Sequence, residues 1–255
     1  VKPTLLVTID TEGDDEWSFH RRPELSNISR MRDFEAMIER VGAKSTYLVT
    51  HAVATDPASV EVLGEIAARG RAEIGAHCHA WNNPPIDEAR EPEAQYFLNE
   101  LDGELQHAKL ERLTGAIEES FGARPRSFRA GRFGANAATM RSLAALAYRV
   151  DSSVTPGISW RGTPGMPGGP GGPDWTEAPL VPYLQDGDDP ARPGRGPLFE
   201  VPLTVVRSRR LPAGVERFLA GFGPTGLVSR VAGKAGLGNL LWFRPTFHTV
   251  REMIT

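Results

Sequence analysis

The chain has a single cysteine, Cys78, in 255 residues, which excludes an internal disulfide and leaves the compartment open. No apolar run reaches the length of a membrane-spanning helix. Neither sign of charge dominates. The 29 Lys and Arg against 32 Asp and Glu leave a net charge of −3, spread along the chain, which argues against a nucleic-acid or anionic-membrane partner. No signal peptide is visible, so cytoplasmic residence is expected, and a start at Val1 leaves room for a trimmed leader or initiator methionine. The length fits one large domain or two small ones, and a hydrophobic fraction of 40% can fill a sizeable core.

What is present alternates. Leu5–Ile9 reads as a buried strand, and Ile28, Met31, Phe34, Ile38 and Val41 recur at helical spacing until Gly42. Thr46–Val49 reads as a second strand. Asp56 followed by Pro57 reads as an N-cap and first helical position, opening a helix that ends near Gly70. Glu73–Gly75 begins a third strand, and an amphipathic stripe from Phe97 to Phe121 predicts a long helix. Ser127–Arg129 is a fourth strand, Asn136 caps another helix, and Tyr148–Asp151 is a fifth strand. Residues 156–197 are rich in Gly and Pro and predict a long loop without regular structure. Leu198–Leu203 reads as a sixth strand, a helical stretch falls between Val215 and Ala235, and Leu240–Phe247 reads as a seventh strand with an irregular end at Pro245. Thr249 and Glu252 form a capping box that opens a helix in which the chain stops, so a truncated C-terminus is expected.

Repeated strand–helix units imply a parallel sheet with helices outside. No Gly-x-Gly-x-x-Gly follows the first strand, which disfavours the dinucleotide-binding open sheet. Polar residues at the carboxyl ends of several strands fit a (β/α) barrel, whose active site gathers those ends.

Two spacings carry chemistry. In Ile74-Gly75-Ala76-His77-Cys78-His79, alternation along a strand puts His77 and His79 on one face and Cys78 on the other, so the two imidazoles could hold a divalent metal. Asp10 and Glu12 share that spacing at the end of the first strand. Arg129 and Arg132 flank a small-residue bend past the fourth strand, where a guanidinium could hold a carboxylate ionised. Asp151 could cap a loop or pair with one of these arginines. His248, at the end of the expected seventh strand, suits a catalytic role or simply precedes a helix. Trp81, just beyond the histidines, is a candidate aromatic platform for a ligand.

In this order the motifs resemble the polysaccharide deacetylase family (carbohydrate esterase family 4), in a subgroup with a His-x-His-x-Trp pattern. Thr8-Ile9-Asp10-Thr11-Glu12 resembles the family's first motif, Glu73–His77 the lead into its histidine motif, and Phe128–Gly134 its arginine motif. The resemblance implies a distorted (β/α) barrel of about seven strands, one domain over residues 1–255 with the Gly/Pro-rich insertion at 156–197. It implies hydrolysis of acetyl groups on a carbohydrate or glycoconjugate with a divalent metal, Zn²⁺ being the expected one, on Glu12, His77 and His79. It further implies a general base at Asp10, Arg129 or Arg132 holding that base, Asp151 bracing the arginine, and a histidine acid that is His248 or lies beyond Thr255. Asp10 and Glu12 could exchange roles. A small non-sugar amide as substrate and a non-catalytic sugar-binding barrel are the alternatives. Amidohydrolase barrels also use His-x-His, but close their first strand with it, whereas here it follows the third.

Overall fold

The computed structural model describes residues 4–18, 22–86, 97–207 and 240–242. Five parallel strands follow the expected order: β1 (Val7–Thr11), β2 (Ser45–Val49), β3 (Ala72–Cys78), β4 (Ser127–Ala130) and β5 (Val150–Asp151). Between them lie α1 (Met31–Arg40), α2 (His51–Thr55), α3 (Pro57–Ala68), α4 (Gly103–Phe121) and α5 (Ala137–Ala145). Helix starts obey local chemistry. Asp56 accepts the Ser59 N–H at 2.8 Å, Asp102 accepts that of Leu105 at 2.8 Å, and Asn136 and Thr139 cap each other's backbone reciprocally. Gly122, at φ 69°, ends α4 in the left-handed conformation that glycine adopts without a Cβ penalty.

The main sheet has seven strands in the order β1-β2-β3-β4-β5-β7-β6, so the α/β architecture with a mostly parallel sheet agrees with expectation. Its first strand lies two residues later than expected, at Val7–Thr11, which carries Asp10 into the strand and leaves Leu5 and Leu6 exposed. The last two strands also differ. β7 is only Phe199–Glu200, because Pro202 cannot donate to a ladder, and its antiparallel neighbour β6 (Tyr183–Leu184) comes from within the Gly/Pro-rich stretch. Leu240–Trp242 forms β9, paired antiparallel with β8 (Val205–Arg207) in a separate two-stranded ladder rather than in the main sheet. The helix expected between Val215 and Ala235, the capping box at Thr249 and His248 lie outside the described residues.

Apart from β6, residues 156–197 run as turns and isolated bridges, tied down in part by remote side chains, Glu100 foremost. The Glu100 carboxylate accepts the Met166 N–H at 2.9 Å and the Gly171 N–H at 3.1 Å. The ring of Trp160 stacks on Phe133 at 5.5 Å. A Cβ on Gly165 would sit 2.3 Å from the Glu100 carboxylate, so a larger residue there would displace the anchor.

The core lies between sheet and helices. Tyr47, Val49, Ala76, Cys78 and Phe128 from the strands meet Leu63, Ile66, Leu110, Leu113 and Ile117 from α3 and α4. Full burial of each large aliphatic side chain contributes about 1.5–3 kcal/mol. Cys78 faces this core as the alternation predicts, and burial pushes its thiol up to about 12. Among the described residues, no helix is long and apolar enough to cross a membrane.

A candidate metal centre at the strand ends

β1 is an edge strand of the described sheet, yet its carboxyl end meets the ends of β3 and β4. In a flat sheet β1 and β4 would lie about 14 Å apart, three strand spacings. Two side chains could bridge that only at full stretch. Arg129 instead ion-pairs with Asp10 while its Nε donates to the Ser152 carbonyl at 2.9 Å on the far side. The sheet therefore curls, and the curl makes the site.

Arg129 is buried, and all three of its nitrogens donate hydrogen bonds. One Nη donates to Asp10, and the other donates to Thr8 Oγ1 at 2.8 Å and Ser152 Oγ at 3.0 Å. Burial alone would raise the Asp10 carboxyl, but the Arg129 guanidinium, with help from His77, holds it below the usual carboxylate range.

Next to this pair, Glu12, His77 and His79 converge. Glu12 Oε2 lies 2.7 Å from His79 Nε2 and 3.3 Å from His77 Nε2. One ligand atom from each of the three falls within 4.8 Å of the others, so this cluster of histidine and carboxylate among the described residues could hold a metal ion. Burial opposes ionisation of Glu12, yet hydrogen bonds from both imidazoles hold its carboxyl well below the usual range.

The chemistry of this donor set fits a divalent ion. His77 Nδ1 lies 2.9 Å from the Arg129 carbonyl, an acceptor only, so Nδ1 carries a proton, and an ion that displaced the proton from Nε2 would meet a neutral ring with its Nε2 lone pair facing the cluster. The register that pairs His77 with Arg129 across β3 and β4 creates that bond. Neighbouring ligand atoms around a tetrahedral ion with bonds of about 2.0–2.1 Å lie about 3.3 Å apart. The Glu12–His77 separation already has that value. The His79 contact needs to open by roughly half an ångström on the same geometric reasoning.

Glycines make the approach possible. A Cβ on Gly131 would lie 2.4 Å from His79 Nδ1, and one on Gly13 would lie 2.4 Å from Pro23 Cβ. Gly131 thus makes room for the second imidazole, and Gly13 lets the chain turn immediately after Glu12. Beyond Gly131, Arg132 and Phe133 both adopt positive φ, at 53° and 62°, a strained conformation for side-chain-bearing residues.

Three sequence expectations change at this point. Arg132 does not join Asp10. The left-handed turn sends it outward, where it donates to the Pro164 carbonyl at 3.1 Å and lies over the Phe97 ring at 4.3 Å. Asp151 does not brace Arg129, because the β4–β5 register sets Asp151 beside Phe128 and leaves Ser152 level with the arginine. Trp81 offers no open face, being 0% exposed. The Asn83 N–H bonds the His79 carbonyl at 3.2 Å, and that turn folds Trp81 back against the His79 ring at 4.1 Å.

Residues to which the sequence assigns no role also join the site. Ser152 and Thr8 complete the arginine's hydrogen bonds. Glu16, buried, accepts the Gly13 N–H at 3.1 Å and a bond from Asn82, tying the segment after Glu12 to the segment after His79. Asn82 and Glu16 carry no local pattern that marks them, whereas the position of Ser152 follows once the strand register is known.

Asp151 belongs to a second acidic pair. It lies beside Glu200 across β5 and β7, both fully buried, and the Gln185 amide donates to Asp151 Oδ2 at 3.1 Å and to Glu200 Oε2 at 2.7 Å. Burial first, then the charge of Asp151, raises Glu200 well above the usual carboxylate range, and burial also raises Asp151. A folded-state value above the unfolded one means that folding favours the protonated form. The stability it contributes is complete below the unfolded value of about 4.3 and is lost as pH rises through the folded value. Glu200→Gln removes that titration, and its amide can donate to Asp151 and to Gln185 Oε1, which has no partner among the described residues. Thermal melts from pH 5 to 9 should show the variant gaining on the wild type as pH rises, by about 2–4 °C for each kcal/mol. A variant-minus-wild-type melting temperature that stays constant or falls as pH rises would contradict the protonated state of Glu200 in the folded protein.

No protein-family model matches the chain, and neither does any curated protein. Among solved structures, it is similar to a candidate polysaccharide deacetylase from Mycobacterium smegmatis, with 18% identity and a TM-score of 0.49 over 78% of this chain and 57% of that one. It is also similar to the chitin deacetylase of the fungal pathogen Colletotrichum lindemuthianum, with 15% identity and a TM-score of 0.41 over 58% and 54% of the two chains. A third is the family 4 carbohydrate esterase of Streptomyces lividans, with 13% identity and a TM-score of 0.39 over 60% and 64%. The chain spans less than two thirds of the length of each.

Proposed function

We propose that this chain is a metal-dependent deacylase that removes an acetyl or similar acyl group from the nitrogen of an amino sugar or polysaccharide. The observation that carries this reading is the adjacency of the Glu12–His77–His79 cluster to a carboxylate, Asp10, that an arginine holds ionised. Glu12, His77 and His79 hold the ion, and a mixed imidazole–carboxylate set of this kind suits Zn²⁺. When bound, such an ion polarises the acyl carbonyl and stabilises the charge that develops on its oxygen.

The chain's own groups supply the rest. Asp10 is the general base and accepts a proton from the attacking water, and Arg129 keeps it ionised and aimed. Glu12 is assigned to the ion because its Oε2 faces both imidazoles, whereas Asp10 faces the guanidinium. Cleavage of the C–N bond releases acetate and an amine, whose nitrogen gains a proton. The resemblance gives that last step to a histidine that is His248, outside the described residues, or one beyond Thr255.

The direct test is metal content and acetate release measured on one preparation. The wild type is expected to carry about one ion per chain and to release acetate from N-acetylated oligosaccharides. The double variant His77→Ala/His79→Ala should lose both. Acetate release that survives in a metal-free double variant would refute the proposed role of the cluster.

A further inference from the structure

Beside the metal cluster stands an aromatic side chain to which nothing above gives a role. Trp17 is 55% exposed, unusual for an indole. It lies in the short 3-10 turn Glu16–Ser18 that follows the Asp10–Glu12 segment. Its ring stands edge-on to His79 at 6.2 Å and tilted against buried Trp81 at 6.3 Å. Buried Glu16, bonded to Gly13 and Asn82, fixes the turn that presents it. Trp17 thus stands beside the His79 imidazole with more than half of its surface open to solvent. Leaving so much indole in water forgoes the stabilisation that burial would give, and here the turn is anchored to hold it in that position.

We infer that Trp17 is the platform on which a saccharide ring of the substrate stacks, so that the site selects a sugar over a small acyclic amide. The inference rests on the deacylase reading and deepens it. An indole face accepts the flat, C–H-rich face of a pyranose ring. The polar atoms that fix orientation lie alongside, at the strand ends. Because the platform touches the sugar in both ground and transition states, its loss should act on binding more than on turnover.

The test uses Asp10→Asn as the background, so that the saccharide survives while binding is measured by calorimetry on zinc-loaded protein. The probes are a β-linked N-acetylglucosamine tetrasaccharide and an acetylated xylotetraose. Adding Trp17→Ala should weaken binding of whichever probe binds by at least tenfold, and Trp17→Phe should restore most of it. In the otherwise wild-type protein, Trp17→Ala should raise KM by a similar factor and leave kcat within about twofold.

The outcomes separate the two readings. Unchanged affinity in Trp17→Ala, with acetate still released by the wild type, overturns the platform and leaves the deacylase. Weakened binding in Trp17→Ala without acetate release by the wild type keeps the platform and overturns the deacylase. Failure of both probes to bind the background protein overturns the platform, whatever acetate release shows. A loss that Trp17→Phe does not restore, accompanied by a lowered melting temperature, identifies a structural role and likewise overturns it.

Discussion

Asp10→Asn should lower turnover by about 10²–10⁴-fold, the usual contribution of a positioned general base, while leaving metal content close to one ion per chain. The reasoning is geometric. Asp10 is engaged by Arg129, whereas the ion-facing atoms belong to Glu12, His77 and His79. Glu12→Gln should give the opposite pattern, with metal content falling first and activity following. The two carboxylates are two residues apart and look interchangeable in sequence, so the pair of variants is more informative than either alone. Metal analysis and acetate release on both proteins check the assignment. If Asp10→Asn is the variant that loses the ion, the two roles are reversed. If it keeps the full rate, Asp10 is not the base.

Much of this arrangement is legible in the sequence because it is local. Alternation along β3 predicts that His77 and His79 share a face while Cys78 enters the core, and the structure places them so. Capping residues Asp56 and Asn136 mark real helix starts. What the sequence hides is set by register and by contacts between distant segments. Ser152 rather than Asp151 meets Arg129 because parallel β4 and β5 are aligned one residue away from the guess. Arg132 leaves the site because two left-handed residues follow Gly131, which composition does not announce. The loop from 156 to 197 reads as shapeless from its glycines and prolines, yet a single carboxylate from Glu100, more than 60 residues away in the chain, organises part of it. Trp81 and Trp17 trade places for a related reason. Exposure depends on which way the turns after β3 and β1 fold, and the Glu16–Asn82 bond that joins those turns spans 66 residues.

Arg129→Met should be the most damaging single change to stability and also costly to activity. The arginine is buried, donates to Asp10, Thr8 and Ser152, and ties β1, β4 and the residue after β5 together. Removing one partner of a largely buried ion pair costs about 3–5 kcal/mol, and the partial exposure of Asp10 places the expected loss near the lower end. The melting temperature should fall by roughly 6–12 °C for a chain of this size. The sign with pH is fixed by the lowered Asp10 carboxyl. The pair's contribution is complete above the unfolded aspartate value of about 3.9 and disappears as pH falls through the folded value, so wild type and variant should converge in acid. Activity should respond differently from stability. Without the guanidinium, burial is opposed only by the pull of His77, and the Asp10 carboxyl moves upward. The acidic limb of the rate profile should therefore shift to higher pH, with a loss of at least tenfold at neutral pH that partly recovers in alkali. Arg129→Lys restores the charge but cannot reproduce the forked bonds to Thr8 and Ser152, so it should recover part of the pH shift and little of the stability. An acidic limb that stays in place in Arg129→Met would mean that the arginine serves only the fold, and that Asp10 owes its ionisation to the imidazoles on its other side.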